Sequence, residues 1–370
     1  MKFTLSTKPL KSVTSLGIIK ANISQYYYRS NVVQITATRD TLKLNIEAAS
    51  IKTRMTLKGS GDSDTPASII VDCAKFKQLI DSIDNDVMTI EFIAGAISIH
   101  AGTSKFSIPQ LIDTGDVQLD EPVMEYKALS TVAIPASNWQ FIKDHQMYAI
   151  STSEDRPVYK NVWVGEDNGV IVGDMDIGLF TYSKQGSFDT SCLLPASLIN
   201  LFTSIPEGST VSKLGNNYIL SIETDSYSMA TEFAPKYESD SAVGSYNSKI
   251  ILDKLQHPAS FITIDIGPII KFINQTSIVN QAGIDKLFTL TIDNGKLTLA
   301  NRVSNYTMDV DTDASYKVIF VTEYIKKVLA NLDDDTVNIA PIMGKINGVD
   351  SAVGCMFWTE NLTAMLAGQG

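Results

Sequence analysis

The 370-residue sequence predicts an α+β fold organised as three similar domains. Two patterns carry that expectation: a unit of amphipathic helix, polar turn and alternating strand that recurs three times, and paired period-two runs lying between the helices. Composition sets the frame. Hydrophobic residues form 44% of the chain, enough for packed cores, and at about 100 to 200 residues per domain the length allows two or three of them. No apolar run approaches the ~18 residues of a membrane span, so membrane and disordered classes are excluded.

The first unit joins the strand Ile69–Asp72 to a helix through Phe76, Leu79, Ile80 and Ile83, then the turn Asp84-Asn85-Asp86 and the strand Val87–Phe92. The second has Leu198, Leu201, Phe202 and Ile205, then Pro206-Glu207-Gly208; the third has Ile325, Val328, Leu329 and Leu332, then Asp333-Asp334-Asp335 and Thr336–Ile339. Spacing at i, i+3, i+4 and i+7 places each set on one helix face and leaves the other face free. The helices begin near 76, 198 and 325, a period of one third of the chain.

An earlier helix is expected in each third, around Lys8–Val13, Trp139–Asp144 and Pro268–Ile273, with Lys11, Lys143 and Lys271 in similar places. Between the two helices lie hairpins: Asn31–Ala37 with Leu42–Ile46, Val162–Val164 with Val170–Val172, and Leu287–Ile292 with Lys296–Leu299. Each third is thus a sheet with two helices. Clusters of Pro, Asp, Gly and Ser at Asp113–Tyr126 and Tyr237–Ser248 set the boundaries, giving domains 1–126, 127–247 and 248–370; Gly59–Asp64 is a loop within the first.

Catalytic signals are poor, and the chain is expected to be neither an enzyme nor a cofactor or metal binder. Cys73, Cys192 and Cys355 sit among apolar neighbours and read as reduced core residues. His100 ends an alternating strand, and His145 and His257 have no Cys or carboxylate at ligand spacing. Phosphate loops, dinucleotide fingerprints and nucleophile elbows are absent from the sequence, and Asp333-Asp334-Asp335 reads as a solvated turn. The opening Met1–Lys8 has no signal-peptide stretch, so a cytoplasmic location is expected.

The net charge of −11 argues at first against nucleic acid. Its distribution is uneven. The expected helices, 8–15, 74–83, 138–150, 195–205, 265–277 and 321–332, hold eight lysines against four acids, a balance of +4 that leaves −15 for the rest. Those lysines either decorate solvated faces or form a surface facing a polyanion.

In order along the chain, Met1-Lys2-Phe3-Thr4, Thr103–Ile108 (similar to Ser-Arg-Phe-Ser-Leu), Phe233-Ala234-Pro235-Lys236-Tyr237 (similar to Phe-Pro-Asp-Tyr) and the three helix–turn–strand units resemble the bacterial and phage DNA polymerase sliding clamp, the β subunit of the replicative polymerase. The resemblance covers nearly the whole chain. It implies a head-to-tail homodimeric ring with helices lining the lumen and sheets outside. Such a ring encircles double-stranded DNA without sequence preference, tethers the replicative DNA polymerase, is opened by a clamp loader, and involves no membrane.

By position, the resemblance makes Lys8, Lys11, Lys75, Lys77, Lys143, Lys271, Lys326 and Lys327 the lining cations, with Lys20, Arg156, Tyr159 and Lys160 on DNA-touching loops. It also implies a pocket for partner peptides. The family's Thr-Asp-Gly-His-Arg-Leu aligns with Gly173–Leu179, sharing the Asp and, after a shift, the Leu. Pocket candidates are Gly173, Met175, Ile177, Leu179, Pro235, Met356, Phe357 and Trp358, with ordinary strand core as the other reading. Residues 363–370 are expected to extend past the family's last strand, to cover the pocket or meet a partner. Drift at the pocket points to a phage or mobile-element clamp. A clamp-fold scaffold for other DNA-processing or transcription factors, or a β-rich virion protein, are the alternatives.

Overall fold

The computed structural model describes residues 1–15, 32–48, 51–111, 119–125, 127–153, 155–165, 169–184, 192–202, 205–234, 256–279 and 286–369. Two compact units result. The first combines Met1–Trp139 with Ser197–Pro235, the second Gln140–Ala196 with Lys236–Gly370.

In the first unit a five-stranded sheet runs in the order β5-β1-β7-β8-β9. These strands are β1 (Lys2–Ser6), β5 (Ser60–Gly61), β7 (Val87–Ile93), β8 (Ala96–Ala101) and β9 (Ser104–Pro109). An eight-stranded sheet has the order β10-β15-β16-β17-β4-β3-β2-β6. It contains β2 (Val32–Ala37), β3 (Thr41–Ala48), β4 (Ile51–Lys58), β6 (Ala67–Asp72), β10 (Ser130–Ala133), β15 (Thr210–Leu214), β16 (Asn217–Glu223) and β17 (Tyr227–Phe233). β17 pairs antiparallel with β4, Met229 opposite Met55, so one sheet draws on the first and second thirds of the sequence.

Two helices of this unit, α1 (Thr7–Ser15) and α2 (Cys73–Asp81), pack together. Leu10, Val13, Phe76 and Ile80 are wholly buried, as the 3.6-residue period requires, each stabilising by about 1.5 to 3 kcal/mol relative to exposure. Asp72 caps α2 by accepting the Lys75 amide at 2.8 Å, which satisfies one of the four unbonded N–H groups at a helix start.

The second unit has an eight-stranded sheet in the order β14-β11-β12-β13-β25-β24-β23-β18. Its strands are β11 (Asn161–Val164), β12 (Gly169–Asp174), β13 (Leu179–Lys184), β14 (Cys192–Pro195), β18 (Ile262–Asp265), β23 (Thr336–Ile346), β24 (Val349–Trp358) and β25 (Leu362–Ala367). A four-stranded sheet follows the order β21-β20-β19-β22, from β19 (Leu287–Asp293), β20 (Lys296–Ala300), β21 (Asn305–Asp309) and β22 (Tyr316–Val321). Asn294 and Gly295, at φ 49° and 70°, make the two-residue hairpin turn between β19 and β20. The remaining helices in chain order are α3 (Ala136–His145), α4 (Ala196–Leu201), α5 (Gly267–Val279) and α6 (Thr322–Ala330).

All six expected helices form, although α3 stops before a 3-10 turn at Met147–Ala149 and α4 is shorter than its apolar period. Two expectations need correction. The Gly59–Asp64 stretch contains β5, because Ser60 and Gly61 pair with Thr4 and Phe3; a side chain at Gly59 would meet the Phe3 ring at 2.4 Å. The C-terminal residues are no appendage, since β25 is an interior strand between β13 and β24. Of the expected boundary segments, 113–118, 126 and 237–248 lie outside the described residues.

Candidate nucleic-acid interface and peptide site

Burial of one helix face decides where the lysines stand. On α1, Lys8 is exposed and Lys11 is half-buried, its Nζ 3.6 Å from Asp84 Oδ1 in the turn after α2. On α2, Lys75 is exposed, whereas Lys77 donates to Asp81 one turn along at 2.7 Å. Lys143 of α3 is half-buried and Lys271 of α5 exposed. On α6, Lys326 is exposed and Lys327 lies 2.9 Å from Glu323; hydrogen bonding and charge from Lys327 hold that carboxyl below the usual carboxylate range. Among the described residues, Lys8, Lys75, Lys271 and Lys326 face no acid within ion-pair distance. α4 carries no cation.

The expected loop contacts divide. Lys20 lies outside the described residues. Arg156 is exposed and pairs through Nε with Asp176 at 3.2 Å, and Lys160 is half-buried. Tyr159 is 4% exposed, packed with Trp163, Ile171, Phe180 and Leu193; burial pushes its hydroxyl pKa up. Its ring is therefore a core element of the sheet face, unavailable for stacking on a base.

The described peptide-site candidates gather around the β12–β13 hairpin and the end of β24, within the second unit. Leu179 and Phe357 are fully buried, and Met356 and Trp358 are 3% and 4% exposed, so these four side chains build the sheet core. Gly173 is also buried, and any side chain there would meet the Phe180 ring at 2.2 Å. Met175 is exposed and Ile177 half-buried at the hairpin tip; Pro235 lies outside the described residues.

The C-terminal strand joins these pieces, a role that sequence reasoning missed. β25 places Leu366 between Leu179 and Cys355, and Met365 between Phe180 and Met356. The Ala367 amide donates to the Gly178 carbonyl at 3.0 Å, and Gly178, at φ +64°, has no room for a side chain against Ala367. The apolar–polar alternation of Leu362-Thr363-Ala364 was the available signal. His257 stacks on Trp358 at 4.7 Å and hydrogen-bonds with Thr363 at 2.8 Å, while Phe261 meets the Trp358 ring edge-on at 5.2 Å.

The other polar candidates have structural partners. His100 donates to Glu91 at 2.9 Å, His145 to the Asn331 carbonyl at 3.0 Å, and Asp333 accepts from Asn361 at 3.0 Å. Cys73, Cys192 and Cys355 are buried and form no disulfide among the described residues. Among the described residues no group of three metal-ligating side chains converges, and no helix is long and apolar enough to cross a membrane.

Repeated helix–turn–strand units and large antiparallel sheets define an α+β chain in which five of the six described helices carry lysine. The fold is that of the bacterial DNA polymerase III β subunit, the sliding clamp. The chain aligns over its full length with the full length of the Caulobacter crescentus DNA polymerase sliding clamp, at 14% identity and a TM-score of 0.74. The DNA polymerase III subunit beta of Pseudomonas aeruginosa aligns as completely, at 13% and 0.74. A Helicobacter pylori beta clamp bound to a DNA ligase peptide does so at 13% and 0.68. No family model and no curated protein matches the chain.

Proposed function

We propose that this protein is a DNA sliding clamp, a non-enzymatic processivity factor that encircles duplex DNA and tethers a replicative polymerase. The observation that carries the reading is the end-to-end likeness of fold to β clamps at a TM-score of 0.74 over both chains. Lysines presented on one face of short helices suit the work, because contacts to phosphate alone hold a duplex without reading its sequence.

The working form in this proposal is a head-to-tail homodimer of three-domain chains, divided at 126 and 247, opened by a clamp loader in the cytoplasm of a bacterial or phage-infected cell. Two sheet edges favour such a joint. β9 and β21 each end a sheet, and no other described strand pairs with their outer edges, which leaves N–H and C=O groups ready to join a second copy. For partner peptides we propose the surface at Met175 and Ile177 beside β25, by analogy with the peptide-bound Helicobacter clamp.

The test is retention on DNA. Loaded wild-type protein should stay on nicked circular duplex and run off once the circle is linearised. Combined Lys75→Glu, Lys271→Glu and Lys326→Glu should cut retention about tenfold or more with circular dichroism unchanged, because all three side chains are exposed. A monomer that never becomes trapped on circles would overturn the proposal.

A further inference from the structure

Four of the ten candidate cations among the described residues are held by carboxylates. Lys11 faces Asp84 at 3.6 Å and Lys77 faces Asp81 at 2.7 Å in the first unit. In the second, Arg156 faces Asp176 at 3.2 Å and Lys327 faces Glu323 at 2.9 Å. The pattern arises from three kinds of local geometry: a helix-following turn, a hairpin turn, and the i,i+4 spacing of a helix face. No single motif explains it.

We propose that Asp81, Asp84, Asp176 and Glu323 are affinity-limiting residues, occupying these cations in place of DNA phosphate and so keeping the grip on duplex weak. The inference rests on the sliding-clamp reading. The carboxylate side chains are 45%, 100%, 40% and 68% exposed, so solvent reaches each of them and the core does not depend on their charge. Exposed ion pairs are weak, and phosphate can displace the carboxylate without disturbing the fold. Yet an acid within 4 Å of a cation repels the phosphate approaching that cation, and a cation already neutralised releases fewer counterions when it binds DNA. Lys8, Lys75, Lys271 and Lys326 would then supply a standing, low-affinity contact, with the four guarded cations engaged only briefly. A protein that moves along DNA benefits from contacts that are numerous and individually loose.

The experiment combines Asp81→Asn, Asp84→Asn, Asp176→Asn and Glu323→Gln in the full chain and measures binding to a blunt duplex by fluorescence anisotropy across a salt series. Affinity should rise about tenfold near 50 mM salt, and the log–log salt slope should steepen by up to ~3.6 per chain, about 0.9 for each cation released. A matched variant, Asp40→Asn, Glu223→Gln, Asp350→Asn and Glu360→Gln, removes the same charge from exposed sites on other elements, away from the proposed β9 and β21 joint, and should change little. Equal gains in both variants would overturn the proposal in favour of whole-molecule charge. The Lys75/Lys271/Lys326→Glu protein separates the two ideas. If it loses affinity while the acid-neutralised protein gains none, the carboxylates have no limiting role and the clamp reading stands; if it binds duplex as wild type does, the DNA-facing assignment falls and takes this inference with it.

Discussion

Cys73 opens α2 directly after its cap, Asp72. A helix N-terminus ordinarily lowers a thiol pKa, but here burial pushes it from 9.0 up to about 12, with the Asp72 charge adding to the rise. The apolar neighbours marked this residue as core; the cap was visible only once Asp72 was seen accepting the Lys75 amide. A raised folded-state pKa contributes stability that is complete below the unfolded value and is lost as pH climbs through the folded one. The native state should therefore weaken between about pH 9 and 12, by an amount on the order of a few kcal/mol. Urea midpoints measured across that window should fall more steeply for wild type than for Cys73→Ala; equal slopes would assign the alkaline loss to other groups. Tyr159 and Trp358 show the opposite limit of residue-level reading. An aromatic beside basic residues or a terminal motif looks like a contact group in the sequence, and only the fold reveals that both are spent on packing.

Elements were legible where the signal is local. The helix faces at Phe76, Leu198 and Ile325 followed from period, and the β19–β20 hairpin from Asp293-Asn294-Gly295, because both depend on residues a few positions apart. Pairings such as β17 with β4 and β13 with β25 join segments far apart in the chain and leave no turn signature. That is why residues 363–370 read as a tail in the sequence. Its interior position makes a strong claim. Leu362, Ala364 and Leu366 are buried, and each Leu lost from a core costs about 2 to 5 kcal/mol before the ladder bonds to two neighbours are counted. A chain ending at Glu360 should therefore lose amide-exchange protection across Leu179–Lys184 and Val349–Trp358 and become protease-sensitive there. Unchanged protection in those strands would show that β25 is dispensable.

At the scale of the whole molecule, threefold sequence repetition and two structural units coexist because the large sheets cross the thirds: β4 with β17 in one, β13 with β25 in the other. Repetition reports how each helix–strand unit is built, whereas contacts report which strands share a sheet, and the second property is non-local. Charge behaves in the same way. The total of −11 is the wrong quantity for judging DNA binding, and even the +4 on the expected helices hides which cations are available. Lys8, Lys75, Lys271 and Lys326 stand exposed without an acid among the described residues, so about four phosphates per chain should be neutralised. Counterion release then sets the log–log salt slope near −3.6 per chain, or about −7 for a dimer around one duplex. Equilibrium binding to a long duplex between about 50 and 200 mM salt measures this directly. A slope near zero would remove phosphate contact from the account of this protein. A dimer slope near −14 would mean that the carboxylate-held cations are engaged as fully as the free ones, and that the acids beside them restrain nothing.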